Sequence, residues 1–110
     1  MKFFDNHTHS NFSPDSRIAV GDAVKNALQK GLMGIAITDH YDVDAPSRDQ
    51  EFLFNPVEQQ KEIDRVMWEM RDTIMANGFQ VMKGIEVGLQ SASMEKIKNF
   101  TSQYTFDTVI

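Results

Sequence analysis

His7 and His9 stand one residue apart in Phe3-Phe4-Asp5-Asn6-His7-Thr8-His9, at the close of the first apolar run of the chain. Side chains at i and i+2 of a strand leave the same face, so this spacing sets two imidazoles side by side. Imidazole is a ligand for zinc, iron, manganese and nickel, and a strand end carrying two of them could hold one such ion. An exposed strand end with no ligand produces the same tripeptide, so other segments must supply further donors. His40, in Thr38-Asp39-His40, is the remaining histidine, and Glu86 stands between Ile85 and Val87. A carboxylate in an apolar strand is costly to bury unless a cation or a donor meets it. For His40 the plainer alternative is a strand-end ring satisfied by a nearby carbonyl.

The elements that must position these residues are marked by periodicity and punctuation. Residues 2–9 read as a strand, and Asn11-Phe12-Ser13-Pro14-Asp15-Ser16 as a polar turn. Val20, Ala23, Val24, Ala27 and Leu28 then fall at the three- and four-residue spacings of a helix that Gly31 stops. Leu32 to Asp39 is almost wholly apolar until its last two residues, as a parallel strand covered on both faces would be. A polar loop follows from His40 to about Phe54.

Asn55 as N-cap and Pro56 at the first helical position open a long helix that ends near Asn77-Gly78, with Ile63, Val66, Met67, Met70 and Ile74 as one apolar stripe. Met67, Met70, Met75 and Trp68 are most simply core and surface residues of that helix. Phe79 to Val87 reads as a third strand, Met94, Ile97 and Phe100 as a shorter helix, and Phe106 to Ile110 as a fourth strand in which the chain stops.

Strand and helix alternate, so the expected fold class is α/β with a parallel sheet and right-handed crossovers. His7 and His9 then close strand one, Asp39 and His40 close strand two, and Glu86 lies at the end of strand three. In such folds the C-terminal strand ends share one rim, where ligand and catalytic groups gather. That convergence points to a metal cluster. Asp5 falls on the face of His7 and His9 but deeper, in a supporting role. Asp15 taken by itself shapes a turn after Ser-Pro, and Arg48 in the rim loop is either a solvated side chain or a phosphate contact.

With 110 residues, 41% hydrophobic and 25% charged, the chain has material for one modest core. The absence of cysteine excludes disulfides and thiolate metal sites and leaves His, Asp and Glu as ligands. A net charge of −5 argues against a nucleic-acid partner, which needs clustered Lys and Arg. A small phosphorylated substrate is compatible, because bound cations would supply positive charge. Neither a long apolar run nor a secretion signal is present in this sequence, so no membrane partner is expected and the chain reads as cytoplasmic.

His7-Thr8-His9, Ser10-Asn11-Phe12-Ser13-Pro14-Asp15, Thr38-Asp39-His40 and Gly84-Ile85-Glu86-Val87-Gly88 resemble, in order and approximate spacing, the first motifs of the polymerase and histidinol phosphatase (PHP) superfamily. Gly84 to Gln90 and the ending Tyr104 to Ile110 look like its histidinol-phosphatase branch. The resemblance implies the N-terminal part of a distorted, TIM-like (β/α)7 barrel with parallel strands, residues 1–110 forming a single partial PHP domain. It implies a centre of up to three divalent ions, manganese, zinc or iron, with further ligands in a Gly-Ser-Val-His segment and later motifs. By resemblance His7 and His9 bind the first ion, Glu86 bridges the first and second, and Asp15 with His40 serves the third. Asp39 orients a ring or loop, with direct coordination as the alternative.

The activity so implied is hydrolysis of a phosphoric monoester, L-histidinol phosphate, in histidine biosynthesis, with Glu86 and His40 as the catalytic positions. Water activated by clustered ions needs no protein nucleophile, in keeping with the lack of cysteine and of a Ser-His-Asp set. Three other readings compete. An amidohydrolase also begins with His-x-His but gives no reason for Thr38-Asp39-His40. A PHP exonuclease shares the motifs but would want a basic groove. A catalytically incomplete fragment or scaffold would carry these ligands without turnover, and an open sheet edge at Thr108-Val109-Ile110 would invite self-association.

Overall fold

The computed structural model describes residues 2–42 and 54–110. Arg48 lies outside them, as does most of the expected polar loop. The order is β1 (Phe4–Thr8), α1 (Val20–Gln29), β2 (Gly34–Tyr41), α2 (Pro56–Glu69), α3 (Arg71–Asn77), β3 (Gln80–Val87), a 3-10 turn (Ser91–Ser93), α4 (Met94–Gln103) and β4 (Thr108–Val109). All neighbouring strands pair in parallel, in the order β1-β2-β3-β4. The α/β expectation with a parallel sheet is met.

Two of the turns away from the candidate rim are closed by glycine. Gly31 (φ 73°) follows α1, with the Leu32 amide donating to the Ala27 carbonyl and the Gly31 amide to Leu28. Gly78 (φ 59°) repeats the pattern after α3, through Phe79 to Ile74 and Gly78 to Met75. Both are Schellman closures, whose left-handed residue carries no Cβ penalty when it is glycine. At the opposite helix end, Asn55 Oδ1 accepts from the Val57 and Glu58 amides at 3.0 and 3.3 Å, with Pro56 next in line.

The core lies between the sheet and the first two helices. Val20, Ala23, Val24 and Ala27 of α1, Ile63 and Val66 of α2, and Ile35, Ile37, Phe79 and Val81 form one buried cluster, with Met67, Met70 and Ile74 packed at its margin. Trp68 and Met75 are exposed, as helix-surface residues. Ile35, Ile37 and Asp39 alternate toward the helices, which leaves His40 on the opposite face of β2. Among the described residues, no helix is long and apolar enough to cross a membrane.

Three expectations are corrected. The long helix is broken at Met70 (φ −103°, ψ 13°), where the Arg71 guanidinium donates to the Trp68 carbonyl at 2.8 Å and satisfies an oxygen that an uninterrupted helix would pair with an amide. β2 runs on to Tyr41, so Asp39 and His40 lie within its pairing with β3. In β1 the register steps from Asp5↔Ile35 to Thr8↔Ile37, three residues against two, which is a bulge. The bulge resets the alternation, and Asp5 joins Thr8, Ile18 and Ala23 along a groove beside α1 and parts from the face of His7 and His9.

Gly84 is a tight point beneath the rim. A Cβ there would sit 2.7 Å from Thr38 Cγ2, 2.7 Å from Thr108 Cγ2 and 3.1 Å from the Ile37 carbonyl. Gly84→Ala is therefore expected to destabilise the chain by about 1–3 kcal/mol, read as a lower urea midpoint at unchanged slope. An unchanged midpoint would show that the three strands have slack at this level.

Candidate metal centre

β1 and β3 flank β2, and the β2–β3 register sets His40 directly beside Glu86. The chain leaving β1 carries His9, then the turn with Asp15. His7 Nε2 and His9 Nε2 are 3.1 Å apart, and Glu86 Oε2 is 2.8 Å from the first and 2.6 Å from the second. Metal–ligand bonds of about 2.05 Å put neighbouring donors about 2.9 Å apart in an octahedral shell and about 3.3 Å in a tetrahedral one. The three edges lie close to the octahedral spacing, two of them slightly inside it, so the residues fit a divalent metal with a small outward shift.

A second group abuts the first. Asp15 Oδ2 is 2.9 Å from His9 Nδ1 and 3.1 Å from His40 Nε2, and the rings of His9 and His40 are 4.3 Å apart. His9 belongs to both groups, through opposite nitrogens. A neutral imidazole carries its proton on only one of them. A proton on Nδ1, donated to Asp15, leaves Nε2 bare toward His7 and Glu86. Asp15 and His40 are then the independent donors of the second group. Strand position puts His7, His9, His40 and Glu86 at the rim and the family resemblance adds Asp15; the structure brings these five side chains together.

Asp39 plays a different part. It is fully buried, and each carboxylate oxygen accepts twice. Oδ1 receives the Ser10 amide at 2.6 Å and Ser13 Oγ at 2.9 Å; Oδ2 receives Ser10 Oγ at 2.7 Å and Gln59 Nε2 at 2.8 Å. About four lone-pair sites exist on a carboxylate, so none is left for an ion. Ser13 Oγ also accepts from the His40 amide at 2.8 Å, and Ser16 Oγ donates to the His9 carbonyl at 3.0 Å. The loop that carries His9 and Asp15 is in this way laced to β2 and α2. Asp5 does less: exposed, it accepts the His7 amide at 3.1 Å.

Sequence reasoning passed over Ser10, Ser13, Gln59 and Asp42. Gln59 had a signal, because it falls four residues before Ile63 on the apolar stripe and is fully buried there. Ser10 and Ser13 had a weaker one, as hydroxyls in a turn beside a ligand. Asp42 Oδ2, 3.2 Å from His40 Nδ1, had none short of the strand register.

Charge in the cluster is mutually supporting. Partial burial disfavours a charged His9, but the hydrogen bonds and charges of Asp15 and Glu86 outweigh it and raise its pKa. Burial likewise works against ionised Asp15 and Glu86; the bonds from His9 to Asp15, and from His7 and His9 to Glu86, prevail and lower both.

The PHP domain family matches residues 5–110. The histidinol-phosphatase of Lactococcus lactis subsp. lactis (strain IL1403) is 34% identical over 110 residues, all of this chain and 38% of the relative. A Clostridium acetobutylicum protein named "Probable histidinol-phosphatase" is 31% identical over 107 residues, 97% of this chain and 37% of its own. Among solved structures, histidinol phosphate phosphatase from Lactococcus lactis, complexed with zinc, L-histidinol and phosphate, superposes with a TM-score of 0.85 at 30% identity. The match covers 98% of this chain and 38% of that one. The chain therefore spans little more than a third of the relatives it matches.

Asp39→Asn turns one acceptor into a donor facing donors, and is expected to cost about 2–4 kcal/mol in urea unfolding; a loss below about 0.5 kcal/mol would mean the lacing is dispensable. For the metal-free chain, the raised His9 pKa gives stability that is full below about pH 6.5 and fades as pH rises through the folded value. The lowered Glu86 pKa gives stability present above about pH 4.5 and lost as pH falls through the folded value. The stability gap between wild type and Glu86→Gln should accordingly peak between those limits, and a gap flat across pH 3–9 would contradict the pairing.

Proposed function

Since the chain belongs to the PHP domain family, we propose that the protein carrying it is a metal-dependent phosphoric monoester hydrolase acting on L-histidinol phosphate. The observation that carries this reading is the meeting of His7 Nε2, His9 Nε2 and Glu86 Oε2, from residues 77 and 79 positions apart, at 2.6–3.1 Å. The relatives' names and the zinc, L-histidinol and phosphate in the Lactococcus lactis complex support the substrate and the metal class.

His7, His9 and Glu86 would hold one ion, and Asp15 with His40 would contribute to another. Two imidazoles and a carboxylate suit zinc, with manganese and iron as further occupants of a centre of up to three ions. When bound, such ions polarise phosphoryl oxygens, acidify a water and stabilise a leaving alkoxide. The chain's own contribution is positional. Glu86 gathers both histidines with one oxygen, and Asp15 fixes the orientation of His9. The buried Asp39 holds the intervening loop, so the donors are set before substrate arrives and little reorganisation is left for the reaction.

The test loads the purified protein with Zn2+, removes excess, and follows phosphate release from L-histidinol phosphate. Turnover should vanish with chelator and return with metal. Glu86→Gln should lower zinc content per chain and reduce turnover by at least about 100-fold. Undiminished turnover after complete metal removal would sink the reading, and unchanged zinc content in Glu86→Gln would take Glu86 out of the centre.

A further inference from the structure

Asp42 and Gly88 directly follow β2 and β3, side by side at the rim, and neither belongs to the ligand set. We propose that Asp42 is a positioning residue for His40, and that position 88 is glycine because the Asp42 carboxylate occupies the space a side chain would need. The inference rests on the metal reading given above.

His40 presents its two nitrogens to different carboxylates. Nε2 faces Asp15 Oδ2 at 3.1 Å, on the side of the candidate ions, and Nδ1 faces Asp42 Oδ2 at 3.2 Å. Among the described residues Glu86 Oε2 is the next carboxylate oxygen to Nδ1, at 3.7 Å, but it is committed to His7 and His9. The Asp42 carboxylate sits off the line of a hydrogen bond, so its hold on the ring is electrostatic at this geometry. A histidine that ligates a metal through one nitrogen commonly offers the other to a carboxylate, which fixes ring orientation and raises ligand basicity. Asp42 stands where that carboxylate belongs for His40, as Asp15 does for His9.

Gly88 supplies the second, independent observation. A Cβ there would collide with Asp42 Oδ1 and lie 3.1 Å from Asp42 Cγ. Backbone conformation does not demand glycine at this position, because among the described glycines only Gly31 and Gly78 have positive φ. Nor can the two strand ends simply part. The Gly88 amide lies 3.4 Å from the Tyr41 carbonyl, and the pairing of Tyr41 with Val87 immediately precedes it. The space above Gly88 is thus a seat for the Asp42 carboxylate, and a methyl group placed in it would displace Asp42 without removing its charge.

The experiment titrates cobalt(II) into metal-free wild type, Asp42→Asn and Gly88→Ala, reading affinity by chelator competition and ligand field by the visible spectrum. Both variants should bind at least one cobalt about 10-fold or more weakly and show altered visible bands, while metal-free melting stays near wild type. Agreement between a variant that removes the charge and one that only moves it identifies position as the cause. Wild-type affinity and spectrum in Asp42→Asn would overturn the role of Asp42. A Gly88→Ala protein with wild-type cobalt bands would overturn the seat. A wild type that takes up no cobalt would overturn the metal reading, and this inference with it.

Discussion

The Asp39 carboxylate, withdrawn from solvent and met by four donors, is the constraint on which the site's arrangement depends. A charge in that position is tolerable only while every donor stays in place, since each one lost strands a buried oxygen. Ser10 and Ser13 belong to the loop that follows β1, Gln59 to α2, and Asp39 itself to β2. Moving any of the three relative to the others breaks the network. The loop between His9 and Asp15 is thereby pinned by polar contacts in addition to the packing of Phe12 against the core.

Strand alternation then separates two neighbours with opposite duties. Asp39 points toward the helices and bonds Gln59, whereas His40 emerges on the other face beside Glu86. One residue of β2 therefore anchors the architecture and the next enters the candidate centre. The pairing of His40 with Glu86 is fixed by an unbroken register from Gly34↔Gln80 to Tyr41↔Val87. A slip of one residue would send His40 into the helical layer, away from Glu86.

Much of this was legible in the sequence, and what was not has physical reasons. The His7–His9 spacing, a carboxylate inside an apolar strand at Glu86, the Asn55-Pro56 helix start and the glycines at 31 and 78 each carry a local signal that needs no partner to be read. The bulge in β1 had none: no glycine or proline marks it, and it arises from how β1 meets β2. It is the reason Asp5 parts from the histidines. The break at Met70 likewise lacks a proline or glycine, and depends on a side chain, Arg71, competing for a backbone oxygen. Gln59, passed over in the sequence, takes its meaning from the buried acceptor opposite it. Asp42 and Gly88 are unremarkable alone, and their meaning lies in a contact between different strand ends.

The two Schellman closures lie at the end of the sheet remote from the histidines, where each left-handed glycine turns the chain from helix toward strand through a short connection. The rim end is built in the opposite manner, from loops of unequal length. Tolerance to insertion and deletion is consequently polarised along the strand axis. Added length at the floor would dislodge a helix from the core, whereas at the rim, change outside the segment laced to Asp39 leaves the packing below intact.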